Sequence, residues 1–253
     1  MVLISLCVHS SAVMLLLFFH LRVFDEQKDF EEDRHAHPDR LLSRGIITLA
    51  FLTRVAIASV VLQGLLALSL SPEAFGAWLI CFLFTLTMRV EFGVGKWLNQ
   101  RPMLYALTHN PITPLLGVFV WASTELPWVD DYGWYLGSVA MGALAFELGR
   151  KIRLPQEEQE GVSTYSKSFG RRKAGCWLVV ASMLAIGLAV PLLETLGDPG
   201  RFSREESLAY FFLIASGLQV LSSVVRGASA KGVELASSGL LLGCFGAFGI
   251  IAW

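Results

Sequence analysis

Long apolar stretches, separated by shorter polar segments, occur along the whole chain. Eight of them are long enough, at about 18 residues or more, to cross the hydrocarbon core of a bilayer as a helix. They cover residues 3–23, 46–70, 74–92, 104–123, 132–149, 174–193, 206–225 and 233–253. The pattern predicts an all-α, polytopic membrane bundle of about eight transmembrane helices.

The composition supports a membrane location. Hydrophobic residues make up 54% of the 253 residues and charged residues only 16%, whereas a soluble domain carries roughly a quarter charged residues. The four cysteines have no Cys-x-x-Cys spacing and all lie within predicted spans, so we interpret them as small core residues: Cys7, Cys81, Cys176 and Cys244. The formal net charge of −1 argues against nucleic acid as a partner.

The basic residues of the connecting segments predict the orientation of the chain. With eight spans the loops alternate between two sides, and fifteen lysines and arginines fall on one side against two, Arg201 and Arg204, on the other. The positive-inside rule places the richer side in the cytoplasm. We therefore expect a multi-pass protein of a bacterial inner membrane whose two long loops, 25–45 and 150–173, are cytoplasmic.

Several ionisable side chains lie inside or at the edges of the predicted spans, where charge is costly and commonly functional. They are Arg22, Arg54, Arg89, Glu91, His109 and Glu147. In the alternating topology each lies toward the cytoplasmic end of its helix, which predicts a polar cavity at one depth. Snorkelling and structural ion pairing are the alternative, and they account well for Arg22 and Arg89.

A ladder of aspartates stands where the first span ends. Asp25, Asp29 and Asp33 are four residues apart, and in a continuous helix each step turns the side chain by only about 40°. Because like charges on one helix face repel, the ladder needs a counterion. Divalent cations such as Mg²⁺ prefer carboxylate oxygens and commonly share them with substrate phosphates. A Mg²⁺–diphosphate site and a solvated acidic helix end are both compatible with this spacing.

Basic residues follow the ladder closely. Arg40 and Arg44 suit a diphosphate because guanidinium groups pair well with phosphate oxygens. The alternative is local pairing of the ladder with Lys28 and Arg34. The polar cavity predicted beside the ladder favours the interpretation as a metal–diphosphate site.

The ladder and the residues after it resemble a known family. In the UbiA-like intramembrane prenyltransferases, such as the 4-hydroxybenzoate polyprenyltransferases, a helix ends in Asn/Asp-x-x-x-Asp-x-x-x-Asp, and an arginine-containing stretch that ends in glycine follows. Here the segment is DEQKDFEEDRHAHPDRLLSRG. Asp25, Asp29 and Asp33 match the acidic positions, and Arg40 and Gly45 match the trailing stretch.

A second segment resembles the second motif of that family less closely. The family has Asp-x-x-x-Asp before a Gly-Val-Lys-Ser-like segment that ends in Phe-Gly, and here the stretch is FELGRKIRLPQEEQEGVSTYSKSFG. Glu157 falls on the second acidic position, but Arg153 falls on the first. Either Glu147 and Glu157 complete a second metal site with altered geometry, or basic side chains replace that metal. A loss of activity is the third interpretation.

The resemblance implies a fold and a reaction. The fold would be a single domain over residues 1–253, and because the family has nine transmembrane helices with the first motif at the end of the second, this chain is expected to lack the first helix. The reaction would be Mg²⁺-dependent transfer of an isoprenyl group from its diphosphate to a small, commonly aromatic, acceptor, without an obligate protein partner.

The resemblance also implies roles for individual residues. The implied metal ligands are Asp25, Asp29, Asp33 and Glu157, with Glu147 assisting. The implied phosphate-binding residues are Arg40, Arg44, Lys151 and Arg153, and His109 or Glu91 would orient or deprotonate the acceptor. The prenyl tail would be lined by aromatic side chains, although ordinary packing is the alternative for each of them: Phe18, Phe19, Phe24, Phe92 and Tyr105.

Two other functions fit parts of the pattern. A catalytically silent protein of the same fold would bind or present prenyl lipids, and the substituted second motif favours it. A CDP-alcohol phosphotransferase also uses an acidic ladder at a membrane face, but it needs an Asp-Gly-x-x-Ala-Arg stretch that this sequence lacks.

Overall fold

The computed structural model describes residues 2–28, 30–31, 34, 38–124, 128–159, 162–196 and 204–251. Within these ranges no strand occurs, which confirms the predicted all-α class. The helices are α1 (Val2–Lys28), α2 (Leu49–Leu70), α3 (Pro72–Arg89), α4 (Gly95–Asn99), α5 (Pro102–His109), α6 (Ile112–Ala122), α7 (Tyr132–Gly149), α8 (Tyr165–Phe169), α9 (Arg171–Leu196), α10 (Arg204–Val225) and α11 (Ala230–Ile251). Single 3₁₀ turns form at Glu91–Gly93 and Pro155–Glu157.

Five segments of the described chain are helical, long and apolar enough to cross a membrane. They are Val8–Lys28, Leu49–Leu70, Pro102–Ala122, Arg171–Thr195 and Ser207–Val225. This finding is consistent with the predicted membrane protein. The other predicted spans coincide with α3, α7 and α11, and the total of eight crossings stays a prediction.

The predicted span 104–123 is interrupted by a kink between α5 and α6. Pro111 has no backbone N–H, so the helical hydrogen-bond ladder cannot continue through it. The backbone N–H of Asn110 still donates to Ala106 O at 2.9 Å and closes α5. The Asn110 side chain is fixed by a hydrogen bond from Nδ2 to Ala140 O, also 2.9 Å long.

The chain forms two compact units. Unit 1 comprises Met1–Trp97 and Leu115–Leu126, and unit 2 comprises Leu98–Pro114 and Pro127–Trp253. The prediction of one family domain over the whole chain stays a prediction.

Unit 1 is built on the packing of α1, α2 and α3. Thr48 and Ser71 cap α2 and α3 through side-chain oxygens that accept backbone N–H groups, and Pro72 supplies the fixed backbone angle favoured at a helix start. A single stripe of α2 is buried, and Gly64 in it lies against the Trp78 indole, where an added Cβ would come within 2.9 Å of the ring. The close approach of α2 to α3 therefore depends on glycine at this position.

Unit 2 is a bundle of four long helices, α7, α9, α10 and α11, in which α7 packs on α9 and α11, and α10 packs on the same two helices. The bundle is tight, since a Cβ added at Gly149 of α7 would come within 2.2 Å of Ser237 Oγ of α11 and one added at Gly142 within 3.2 Å of Cys244 Sγ. A hydrogen bond from Ser138 Oγ to Ala185 O, 2.6 Å long, joins α7 to α9. The alternating helix directions bring the end of α7, the start of α9, the end of α10 and the start of α11 to one end of the bundle.

Candidate functional site

A groove of about 500 Å³ in unit 1 runs along the end of α1 and the segment that follows it. It is lined by Phe19, Arg22, Val23, Glu26, Asp39, Arg40, Leu41, Leu42, Ile47 and Leu52. The α1 residues are spaced i, i+3, i+4 and i+7, so they form one face of the helix. Apolar side chains and two arginines thus line the same groove.

The charged residues of this groove include one predicted site residue, Arg40. Arg22 forms an ion pair with Glu26 one turn further along α1, so its charge is balanced within the helix. Asp25 is exposed on α1 and does not line the groove. Asp29 and Asp33 lie outside the described residues. Arg44 is exposed in the same loop as Arg40 but does not line the groove.

Glu91 lies in a turn with an unusual backbone at the end of α3. Glu91 and Phe92 have φ angles of 47° and 54°, in the left-handed region that side chains other than glycine rarely adopt, and Gly93 follows at 74°. Glu91 is only 8% exposed, and its Oε1 accepts from Lys28 Nζ at 2.7 Å. The ion pair joins the turn to the end of α1, and Gly95 leaves space for the Glu91 carboxylate.

Arg54 and Arg89, also predicted as cavity residues, have local partners. The Arg89 guanidinium lies 5.0 Å from the centre of the Phe24 ring, within the range of a cation–π interaction. Arg54 Nε donates to Ala50 O of its own helix at 3.3 Å. These contacts agree with the alternative of structurally paired charges in unit 1.

In unit 2, Glu147 is the centre of a charged cluster at the end of α7. Arg150 and Lys151 both form ion pairs with it, the one to Lys151 Nζ being 2.8 Å long. Because the two cations engage different carboxylate oxygens, neither oxygen is without a cationic partner. The Tyr165 hydroxyl also faces Glu147, at 3.5 Å. Burial raises the pKa of Tyr165, and the negative charge of Glu147 raises it further.

Lys151 lies between two aromatic rings. Its Nζ is 5.9 Å from the centre of the Tyr105 ring and 5.7 Å from that of Tyr165. Tyr105 in turn stacks on His109, with ring centres 4.0 Å apart, and His109 Nδ1 lies 2.9 Å from Tyr105 O. The structure therefore brings together three of the predicted residues, Glu147, Lys151 and His109, through these tyrosines.

Glu157 connects its loop to the start of α11. Its Oε2 accepts from the backbone N–H of Leu154 and from that of Ala230, each at 2.9 Å. These two N–H groups lower the pKa of Glu157, and the nearby charges of Arg171 and Arg153 act in the same direction. Arg153 Nη1 lies 3.5 Å from Glu157 O. The neighbouring Glu158 accepts hydrogen bonds from Thr164 and Ser166.

The carboxylates of the second segment therefore fit a metal poorly. Both carboxylate oxygens of Glu147 form ion pairs with cations, and one oxygen of Glu157 accepts hydrogen bonds from two backbone N–H groups. Within the described parts of the chain, no three histidine, cysteine or acidic side chains are grouped closely enough to hold a metal ion. Of the aspartate ladder only Asp25 is described, so the implied metal site depends on the spacing of the ladder in the sequence.

The sequence analysis missed a buried polar network in unit 1. His20, Gln63 and Thr85 are all 0% exposed. Gln63 Nε2 donates to His20 Nδ1 at 3.1 Å and to Ser59 Oγ at 3.1 Å, and Gln63 Oε1 accepts from Trp78 Nε1 at 3.1 Å. His20 Nε2 lies 3.2 Å from Thr85 Oγ1. The sequence did contain a signal for this network, because His20, Gln63 and Thr85 are polar residues within three consecutive apolar spans.

Comparison with known proteins adds no assignment. No family model, curated protein or solved structure matches the chain. The resemblance to the UbiA-like family is therefore carried by the residues of the two segments alone.

Proposed function

We propose that the protein is a multi-pass membrane enzyme that transfers an isoprenyl group from its diphosphate to a small aromatic acceptor, with Mg²⁺ bound by the aspartate ladder. The loops that carry the two motifs would face the cytoplasm of a bacterium. The observation that carries the proposal is the groove at the end of α1, which combines apolar walls with Arg22 and Arg40 at the helix end where the ladder begins in the sequence.

The groove has the two kinds of surface that a prenyl diphosphate requires. The donor consists of an apolar chain and a strongly anionic head. Phe19, Val23 and Leu52 offer an apolar wall, and Arg40 offers a guanidinium group that pairs with two phosphate oxygens at once. The volume of about 500 Å³ lies within the range of sites for small molecules.

The metal ion, Arg40 and the apolar wall of the groove would have separate tasks in the transfer. Mg²⁺, when bound, would neutralise the charge that develops on the leaving diphosphate. Arg40 would hold the diphosphate in place, and the apolar wall would keep water away from the reacting carbon. Arg22 would keep its ion pair with Glu26, so the positive charge for the diphosphate would come from Arg40.

Transfer assays on membranes test this function. Membranes that contain the protein are incubated with labelled prenyl diphosphate, Mg²⁺ and aromatic acceptors, and labelled product is quantified. Arg40→Gln should lower transfer at least about tenfold, since a charge-assisted hydrogen bond is worth roughly 1.5–3 kcal/mol. Arg54→Gln, which removes an exposed arginine outside the groove, is the matched control and should retain transfer within about twofold. Transfer that survives Asp29→Ala with Asp33→Ala would refute the assigned roles.

A second candidate is a protein that binds prenyl diphosphates without turnover. The bound state of the second-segment carboxylates favours it, since Glu147 is occupied by two cations and Glu157 by backbone N–H groups. In that case the purified protein would bind labelled prenyl diphosphate, Arg40→Gln would weaken binding, and no product would form with any acceptor tested.

A further inference from the structure

Exposed basic side chains gather at one end of unit 2. We call this surface the basic end and define it by Lys167, Arg172, Lys173, Arg226 and Lys231, all of which are exposed. We propose that the basic end binds the headgroups of anionic phospholipids in the surrounding leaflet. This interaction is separate from the proposed transfer reaction.

The packing of three helix ends brings these residues onto one surface. Arg171 Nη2, at the start of α9, donates to Ala228 O between α10 and α11 at 2.6 Å. One turn further along α9, Gly175 lies against Val224, where an added Cβ would be 2.9 Å from Cγ1. The Glu157 carboxylate holds the first N–H of α11. The first turns of α9 and α11 and the last turn of α10 are therefore joined at the same end of the bundle.

The position of these charges along the helices matches the depth of lipid headgroups. Two of the membrane-length segments have their ends here, since Arg171–Thr195 begins at the basic end and Ser207–Val225 finishes one residue before Arg226. Trp177, one turn inside Lys173, is 36% exposed, and tryptophan is enriched at the membrane interface. Clusters of four or more lysines and arginines directly beside a membrane-spanning helix are typical of anionic-lipid binding.

The positive charge of the basic end exceeds the negative charge of the described residues near it, which besides Glu157 and Glu158 include the exposed Glu234, three residues after Lys231. None of its five side chains forms an ion pair there. The nearby carboxylates of Glu157 and Glu158 accept hydrogen bonds from backbone and hydroxyl groups instead. An anionic surface is the partner that this excess of charge fits.

Native mass spectrometry of the full-length protein in a non-ionic detergent tests the proposal by titration with phosphatidylglycerol and with phosphatidylcholine. Phosphatidylglycerol should bind more tightly, with each cation contributing about fivefold. Arg172→Gln with Lys173→Gln should therefore raise its Kd about 25-fold. Arg226→Gln with Lys231→Gln should do the same, because the second pair lies on the other two helix ends of the same surface.

The matched control removes one arginine and one lysine from exposed positions of unit 1, as Arg54→Gln with Lys96→Gln, and should change the Kd by less than about threefold. The charge-preserving exchange Arg172→Lys with Lys173→Arg should keep the wild-type Kd. If a double variant does not fold, each single variant should still weaken binding about fivefold.

Four results would overturn the proposal. They are equal binding of the two lipids, no effect of either basic-end pair, an equal loss in the unit 1 control, and displacement of phosphatidylglycerol by inorganic diphosphate at matched concentration. The last result would assign the basic end to soluble phosphate compounds.

Discussion

Replacing Gln63 by leucine should destabilise unit 1 by much more than the loss of one contact. Gln63 makes hydrogen bonds to His20, Ser59 and Trp78, each 3.1 Å long. Two of these bonds, to His20 of α1 and Trp78 of α3, join different helices, and at the average of about 0.6 kcal/mol measured between helices in a membrane they are worth about 1 kcal/mol. The change also leaves Trp78 Nε1 and His20 Nδ1 without these partners in a buried site, at roughly 1–3 kcal/mol each. The cost of the two unpaired groups already includes the lost bonds, so we expect the free energy of unfolding to fall by about 2–6 kcal/mol.

Unfolding in mixed micelles with a rising fraction of dodecyl sulfate, followed by far-ultraviolet circular dichroism, measures this loss. Gln219→Leu, at an exposed position of α10, is the matched control and should stay within about 0.5 kcal/mol of wild type. In the double variant His20→Leu with Gln63→Leu both partners become apolar, so the loss should be smaller than the sum of the single losses by about 1 kcal/mol. A Gln63→Leu protein as stable as wild type, or strictly additive effects, would refute the reasoning.

Two further predictions concern the loop contacts. Glu157→Ala should speed hydrogen exchange of the Ala230 amide, because the carboxylate that accepts from this N–H is removed. Since the pKa of Glu157 is lowered, the difference in exchange rate from wild type should be full at neutral pH and should disappear as the pH falls through that lowered value. An unchanged exchange rate at pH 7 would contradict this prediction. Gly95→Ala should cost about 1–3 kcal/mol, because the new methyl group meets the Glu91 carboxylate, whereas Gly133→Ala, which meets no atom within 4 Å, should cost nothing in the same unfolding assay.

The positions of the helices were largely predictable because apolar length is a strong constraint in a membrane. Local signals also mark the helix starts, as Thr48 does before α2 and Ser71 with Pro72 does before α3. The kink after α5 was harder to predict. Pro111 was visible in the sequence, but a proline within an apolar run can be tolerated in a spanning helix, and the hydrogen bond from Asn110 to Ala140 spans 30 residues.

The candidate site was predictable only where its contacts are local. The pairs of Arg22 with Glu26 and of Glu147 with Lys151 follow from the i, i+4 spacing on a helix. The ion pair of Lys28 with Glu91 joins residues 63 apart in the chain. Such a contact depends on which helices pack together, and the spacing of charges along one helix carries no information about it.

The bond from Glu157 to Ala230, across 73 residues, was unpredictable for the same reason. The resemblance to the UbiA-like family nevertheless singled out Glu157, because it falls on the second acidic position of the second motif, and that position alone does not tell whether the carboxylate binds a ligand or caps a distant helix. In the structure Glu157 caps the start of α11 by accepting from the backbone N–H of Ala230.

The direction of the hydrogen bonds around His20 has a consequence for the response of the protein to voltage. Trp78 donates to Gln63, and Gln63 donates to His20 Nδ1, so this ring nitrogen carries no proton. Thr85 Oγ1 donates to Phe82 O at 2.7 Å and can therefore accept from His20. The imidazole proton is thus on Nε2, which faces Thr85. The ring therefore carries no net charge within the candidate span Val8–Lys28. A membrane potential does work of about 2.3 kcal/mol per elementary charge for each 100 mV. On this neutral ring it does none, so the described hydrogen-bond network around His20 contributes no gating charge.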